Sequence, residues 1–343
     1  MTVLYILIAL LMFGLLIFIH EGGHFLAARL FRVTVNEFSI GMGPELWHRT
    51  SKKSQTKYAL RALPIGGYVS MAGEDEDSDD PNAFCHKSIP KRMGIVVAGA
   101  LMNLILGFLL MAILVFSGKT LVSTQIGEFT ENSVSSQVLC VDDTVTKVGR
   151  VRVHTGNELV YEIMNQGDKP VDVTVIRDGE TVVVEDVVFG NFEESGVVFG
   201  EMDFRLYRAP ETFGNYIKHS FWRSLSTVKM VYDSVFNLLT GKYGMQAVSG
   251  PVGVTSVVGD AAKQGIETLA YVVCVISINL GVFNLLPFPA LDGGRFALLI
   301  LEGIRHKPLP RKVETYINVA GLLILLAFMA IISVKDIIQL IVK

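Results

Sequence analysis

A run of apolar residues from Val3 to Phe31 is broken by one polar knot, His20-Glu21-Gly22-Gly23-His24. About 20 apolar residues suffice for a helix to cross a bilayer, and such a helix must satisfy its backbone internally. On that helix, residues four apart lie about 40° apart on one face, so both imidazoles can reach one ion. Glu21 stands between them, beside any water the ion holds. An ionisable residue inside a membrane is costly and marks a functional site by default. Here three fall within five positions, in a segment otherwise charged only at Arg29. The competing reading is a polar cluster that packs against other helices.

Half of the 343 residues are hydrophobic and 18% are charged, which suits membrane helices joined to a sizeable aqueous domain. Four apolar stretches qualify as spans: Val3–Phe31, Met93–Phe116, an interrupted Leu269–Leu301, and Ile317–Ile338. Nine Lys/Arg lie from Arg32 to Arg92, and the connection Arg305–Lys312 holds Arg305, Lys307, Arg311 and Lys312. The positive-inside rule places both connections in the cytosol and both chain ends outside, with Lys119–Thr268 external. The domain expectations are a first span 1–31, cytosolic loop 32–92, second span 93–117, external domain 118–205 and external amphipathic region 206–268. A broken third span 269–302, cytosolic loop 303–316 and last span 317–343 follow. The first run lacks a basic n-region and a small-residue cleavage site, so it is expected to be retained. A net charge of -3 without a basic patch argues against nucleic acid. Cys85, Cys140 and Cys274 are far apart, lack metal spacing and fall in different compartments, so no disulfide is expected.

His20 lies roughly 25 Å along the first helix from Val3, toward the cytosolic side. The third span runs in the same direction, and Asp292 is its only acid between Leu269 and Leu301. Asp292 is therefore the expected third ligand. His154 and His219 fall on the other side of the membrane, whereas His48, His86 and His306 are cytosolic and stay open. The stretch from Asn279 to Gly294 cannot be one helix, because Pro287 and Pro289 remove donors and clash with preceding turns. Irregular backbone at membrane depth is tolerated where it lines a site, so Asn284 and Asp292 read as a site wall. A proline kink for packing is the plainer alternative.

Asn284-Leu285-Leu286-Pro287-Phe288-Pro289-Ala290-Leu291-Asp292-Gly293 together with the His20–His24 motif resembles the site-2 protease family of intramembrane zinc metalloproteases, in its bacterial regulator-of-sigma-E protease branch. The resemblance continues through Glu37–Pro44, Leu63–Val69, Phe84-x-x-Lys87-x-x-x-x-Arg92 and Gly250-Pro251-Val252-Gly253. At Gly99-Ala100-Leu101-Met102-Asn103 the chain lacks the proline that such proteases often carry after the glycine, but keeps Asn103. It implies a bacterial inner-membrane enzyme that cuts single-span substrates, such as anti-sigma factors and remnant signal peptides. The ligands expected are His20, His24 and Asp292 on Zn2+, with Glu21 as general base. Asn284 and Asn103 are expected to hold unwound substrate or to orient the wall.

Lys57–Met71 reads as short strands turned at Pro64 and Gly66-Gly67. The resemblance makes this a membrane-associated β-region whose Gly66, Gly67, Tyr68 and Val69 pair with substrate. The acidic run Glu74–Asp80 reads as a solvated tether. Strand-like Val171–Ile176 and Thr181–Val188, with a helix over Thr155–Asn165, resemble the family's single PDZ domain, although Asp142-Asp143 stands where Gly-Asp is usual. Pro210–Thr240 carries Phe213, Ile217, Phe221, Leu225, Val228, Tyr232 and Phe236 at helical spacing and reads as a helix on the outer surface. The expected fold is thus an α-helical multi-pass membrane protein with an inserted α+β PDZ-like domain. Its partners are the lipid bilayer and its membrane substrates. Two other classes compete: a catalytically silent scaffold with a peptide-binding domain, and a metal or ion transporter. The chain shows no internal repeat of the kind transporters carry.

Overall fold

The computed structural model describes residues 2–74, 76–118, 121–194, 196–242, 244 and 248–342. Asp75, inside the acidic run, and Lys119, at the start of the external section, lie outside the described residues. The chain forms two compact units, one from Met1–Gly107 with Ser249–Lys343 and one from Phe108–Val248.

The first unit is mainly helical. It contains α1 (Thr2–Leu30), most of α2 (Ile89–Gly118), α5 (Pro251–Gln264), α6 (Ile266–Leu285), α7 (Asp292–Arg305) and α8 (Arg311–Val342). α1, α2, α6 and α8 are long and apolar enough to cross a membrane, matching the four expected spans. With the β-rich second unit, this is the architecture of a multi-pass membrane protein with a β domain. The third span breaks where expected, between Leu285 and Asp292. Pro287 and Pro289 donate no hydrogen bond there, and Ala290 takes a left-handed φ of 71°. Of the donors that remain, Phe288 N–H bonds the Leu286 carbonyl at 2.7 Å and Leu291 N–H that of Phe288 at 3.2 Å, while Ala290 N–H reaches the Asn318 side-chain oxygen at 3.3 Å. α7 then starts so close to this turn that a Cβ on Gly293 would sit 2.2 Å from the Leu286 carbonyl oxygen. Glycine is required there by contact with backbone.

β1 (Val35–Thr50) and β2 (Lys57–Met71) make a separate two-stranded antiparallel sheet. Lys57–Met71, expected as short strands turned at Pro64 and Gly66-Gly67, runs as one element, β2, with a bend at Gly66; its partner β1 has no counterpart in the sequence reading. Its register shifts instead of its chain ending. Phe38 faces Val69 and also Tyr58, while Arg49 faces Tyr58, so each strand contributes two separately paired halves. The positive φ of Gly41, Gly43 and Gly66 marks the bends between the halves. Ala28, Val35, Met71, Phe84, Ile95 and Leu299 pack together, joining α1, this sheet, α2 and α7. A second cluster (Ala9, Met12, Leu16 and Val258, with Leu269, Ile276 and Leu280) seats α5 and α6 on α1. The Asp336 carboxylate of α8 accepts the Gly250 and Gly253 N–H groups, each at 2.8 Å, and so caps α5 from another helix. The expected amphipathic region 206–268 is therefore two elements in different units.

The second unit holds β3 (Val122–Phe129), β4 (Thr144–Val148), β5 (Val151–Arg152), α3 (Gly156–Gln166), β6 (Val171–Arg177), β7 (Glu180–Val187), β8 (Gly190–Glu194), β9 (Val197–Glu201), β10 (Phe204–Arg208) and α4 (Phe213–Leu239). The main sheet has the order β10-β3-β4-β6-β7, with β5 beside β4 and β8–β9 as a separate hairpin. Its apolar core includes Ile126, Val148, Leu159, Ile163, Val173 and Phe204. Thr155 and Glu158 cap α3 reciprocally, as a Thr-x-x-Glu pattern permits. Asp142 adopts φ 72°, the left-handed conformation that glycine favours at a turn. Its neighbour Asp143 takes a bidentate bond from Arg177 and one from the Cys140 N–H.

Candidate metal centre

His20 and His24 face the same side of α1, with Nε2 atoms 3.3 Å apart. What holds them there is α2. His24 Nδ1 lies 2.9 Å from the Ile95 carbonyl oxygen, so Nδ1 carries the proton and Nε2 keeps its lone pair. The ring fits a notch above Gly99, where a Cβ would stand 2.3 Å from His24 Nε2. At the same crossing, a Cβ on Gly23 would stand 2.4 Å from the Ala98 carbonyl oxygen. The two helices meet through glycines on both sides, which is how membrane helices approach most closely.

α7 supplies the third group. Asp292 Oδ2 lies 3.2 Å from His20 Nε2 and 3.4 Å from His24 Nε2. The three donor atoms fall within 4.8 Å of one another, the only such group of three among the described residues. Asp292 Oδ2 is buried without a hydrogen-bond donor of its own. Three lone pairs converging out of water, one on a carboxylate lacking a donor, fit a small divalent cation, and two imidazoles with one carboxylate suit zinc. Asp292 also opens α7, where the helix dipole favours negative charge.

Asn103 packs beside this group. It is 1% exposed, and its amide lies 3.4 Å from His20 Nδ1. The atom that faces His20 Nδ1 is the amide nitrogen Nδ2, so Asn103 braces the ring on the side away from Asp292. The Asn103 carbonyl accepts the Ser277 hydroxyl at 2.8 Å, joining α2 to α6 beneath the site.

Glu21 opens onto a cavity of about 180 Å³ that His20, His24 and Asp292 also line. Its other wall is β2, through Tyr68, Val69 and Met71. Gly67 passes so near that its Cβ would stand 3.4 Å from Glu21 Cγ. The Gly67–Met71 half of β2 pairs with Val35–Ile40 on one side, and among the described residues no strand pairs with its other edge. Behind this edge, the Tyr68 hydroxyl donates to Glu37 at 2.6 Å, and Arg61 donates to both at 2.7 Å. Burial disfavours the Glu37 charge, but the bonds from Tyr68 and Arg61 outweigh it and hold the carboxyl below the usual range. The cavity floor includes Glu74 and Arg295, which form an ion pair. Asp77 pairs with Arg311 at 2.8 Å, and Asp80 accepts from the Asn82 N–H at 2.7 Å. Glu74 is the end of the acidic run held by a part-buried ion pair, while Glu76, Asp77 and Asp79 are exposed, in line with a solvated tether.

Other expected residues lie elsewhere. Asn284, half-buried in the last turn of α6, and Gly66, packed on the Met42 side chain, are not among the residues lining the cavity. His48 pairs with Glu45, His86 bonds the Asp80 carbonyl, and His306 ends α7. In the sequence, Gly99 enters only as part of the resemblance, and Ile95 is given no role. The signal was available, since Ile95, Gly99 and Asn103 recur every four residues on one face of α2.

The sequence profile described as Peptidase family M50 matches residues 8–328. A relative from Clostridium acetobutylicum with a zinc metalloprotease name is 36% identical over 334 residues, covering 97% of each chain. The zinc metalloprotease RasP of Shouchella clausii is 29% identical, over 95% of this chain and 96% of its own. The regulator of sigma-W protease RasP of Bacillus subtilis is 26% identical, over 96% and 97% respectively.

Proposed function

The chain belongs to peptidase family M50 and is a zinc metalloprotease, and on that premise we propose that His20, His24 and Asp292 hold the zinc and Glu21 moves the proton. The observation that carries this reading is the approach of Asp292, from a broken late helix, to two imidazoles of the first helix. When bound, zinc supplies Lewis acidity, bringing the pKa of water to about 7 and offsetting charge on the carbonyl oxygen. The Glu21 carboxylate takes the proton of the attacking water and returns it to the departing amine nitrogen. The Ile95 carbonyl keeps the His24 ring in the tautomer that presents Nε2, and Asn103 braces the His20 ring at Nδ1. A helical substrate hides its peptide bonds in its own hydrogen bonds. The open edge of Gly67–Met71, flush against Glu21, gives the unwound segment a backbone partner at the distance the chemistry needs. Asn284 holds neighbouring backbone at the broken helix.

The substrates are single-span membrane proteins, of the kind that anti-sigma factors and remnant signal peptides represent. The protein sits in a bacterial cytoplasmic membrane with both ends outside and the site toward the cytosol, an orientation supported by the Lys/Arg-rich loops 32–92 and 303–316. The external domain is PDZ-like, a reading supported by its capped α3, its β6–β7 hairpin and the left-handed Asp142. The test is co-expression with single-span reporters. Glu21→Gln should abolish cleavage while purified protein keeps its zinc, and Asp292→Asn should lower zinc content. Unchanged cleavage in the first variant, or full zinc in the second, would remove the assigned roles.

A further inference from the structure

α4 is amphipathic in the inverse sense to an ordinary surface helix. The side turned into its own unit is small or polar, burying His219, Ser220, Ser224, Thr227 and Asn237 together with Val231. Polar bonds fasten that side: Tyr161 donates to Asp233 at 2.8 Å, and Lys229 bridges Glu162 and Asp233 at 2.7 and 2.9 Å. His154 stacks on Trp222, with ring centroids 3.5 Å apart. The other side is a stripe of large apolar residues left open, with Phe213 74%, Phe221 50%, Phe236 65% and Leu239 80% exposed. Scattered exposed apolar residues need no explanation, but a continuous stripe along a 27-residue helix does.

We propose that this face of α4 lies in the boundary between headgroups and acyl chains of the lipid bilayer, as a second, non-spanning membrane contact of the β domain. The argument is continuity. The outer end of α2, a membrane span, belongs to the same compact unit, and it too carries an open apolar stripe, Leu109 at 59%, Ile113 at 61% and Phe116 at 37%. That stripe runs directly into α4. The Phe116 ring stacks on Tyr216, with centroids 4.9 Å apart, and meets Phe213 at 5.9 Å. Lipid that wets α2 as far as Phe116 therefore reaches the first turn of α4, and the same apolar surface continues along the helix. Exposed Lys218 beside the stripe suits anionic headgroups. Two of the charged groups that make α4 a poor span, Lys229 and Asp233, are spent on the β domain. This inference does not depend on the metal centre.

The test uses the full chain with its three cysteines changed to serine, reconstituted in vesicles of phosphatidylcholine and phosphatidylglycerol. A nitroxide is placed by Phe221→Cys, by Phe236→Cys, or by Asp178→Cys in the β6–β7 turn. Electron spin relaxation should show the first two labels more accessible to oxygen than to a water-soluble nickel chelate, with the reverse at position 178. Equal nickel access at all three positions would overturn the proposal, placing the stripe in water. Dipolar broadening at 221 or 236 that fades on dilution with unlabelled protein would overturn it too, making a second copy the occupant.

Discussion

Gly99→Ala separates the metal reading from a merely structural one. The added Cβ would stand 2.3 Å from His24 Nε2 and 2.8 Å from two ring carbons. Ordinary contact begins near 3.5 Å, so the ring must retreat by about 1 Å or α2 must tilt away. The Ile95 carbonyl, 2.9 Å from Nδ1, blocks a simple slide. Metal sites tolerate errors of only about 0.2 Å in ligand distance, so a 1 Å displacement is far outside what two imidazoles and a carboxylate can absorb. Overpacking of this kind costs about 1–3 kcal/mol of stability, which leaves the fold intact. The expected result is purified protein with near-normal thermal unfolding in detergent, zinc well below one per chain by elemental analysis, and no cleavage of a single-span reporter. Gly22→Ala is the control, since its Cβ meets nothing within 4 Å. It should keep its zinc and gain up to about 1 kcal/mol from helix propensity. Stoichiometric zinc and normal turnover in Gly99→Ala would refute the claim that this notch positions His24.

Asn103→Ala should weaken zinc binding about 10–100-fold in a chelator titration, because the His20 ring loses its outer partner; unchanged affinity would show that the amide does not orient it. Asp336→Ala strips the acceptor from two N–H groups at the start of α5, and since the carboxylate is 4% exposed it should cost about 2–4 kcal/mol in thermal unfolding, with Asn a milder change. The β1–β2 sheet should loosen in acid. Glu37 titrates lower folded than unfolded, so its contribution is complete above the ordinary glutamate range near pH ~4.3 and fades as pH falls through its depressed folded value. Hydrogen exchange of the β1–β2 amides should rise over that window, and Glu37→Gln should flatten the dependence.

How far the sequence could be read depended on whether a residue's role was local or made by another helix. The spans were legible because a bilayer imposes length and apolarity on each segment separately, and the break before Asp292 because proline acts on its own turn. The meeting of Asp292 with His20 and His24 was legible through the expected topology: charge in the loops gives each span an expected direction, and direction an expected depth. α3 was legible from helical patterning over Thr155–Asn165, and the β6–β7 pair from the strand-like runs Val171–Ile176 and Thr181–Val188. β1 was missed because its alternation is broken by Gly41, Gly43 and Pro44, which are bends within one strand rather than its end. For Asn103 the sequence leaves substrate and wall both open, because an asparagine in an apolar helix announces a partner without naming it; the crossing of α1 and α2 places its amide against His20. The same crossing gives Gly99 its function, which no window of sequence contains, since the atom that forbids a side chain there belongs to a residue 75 positions away. Distances between helices, rather than motifs within them, decide where this site's rigidity comes from, and the glycines facing each other across α1 and α2 are where substitution should test it most directly.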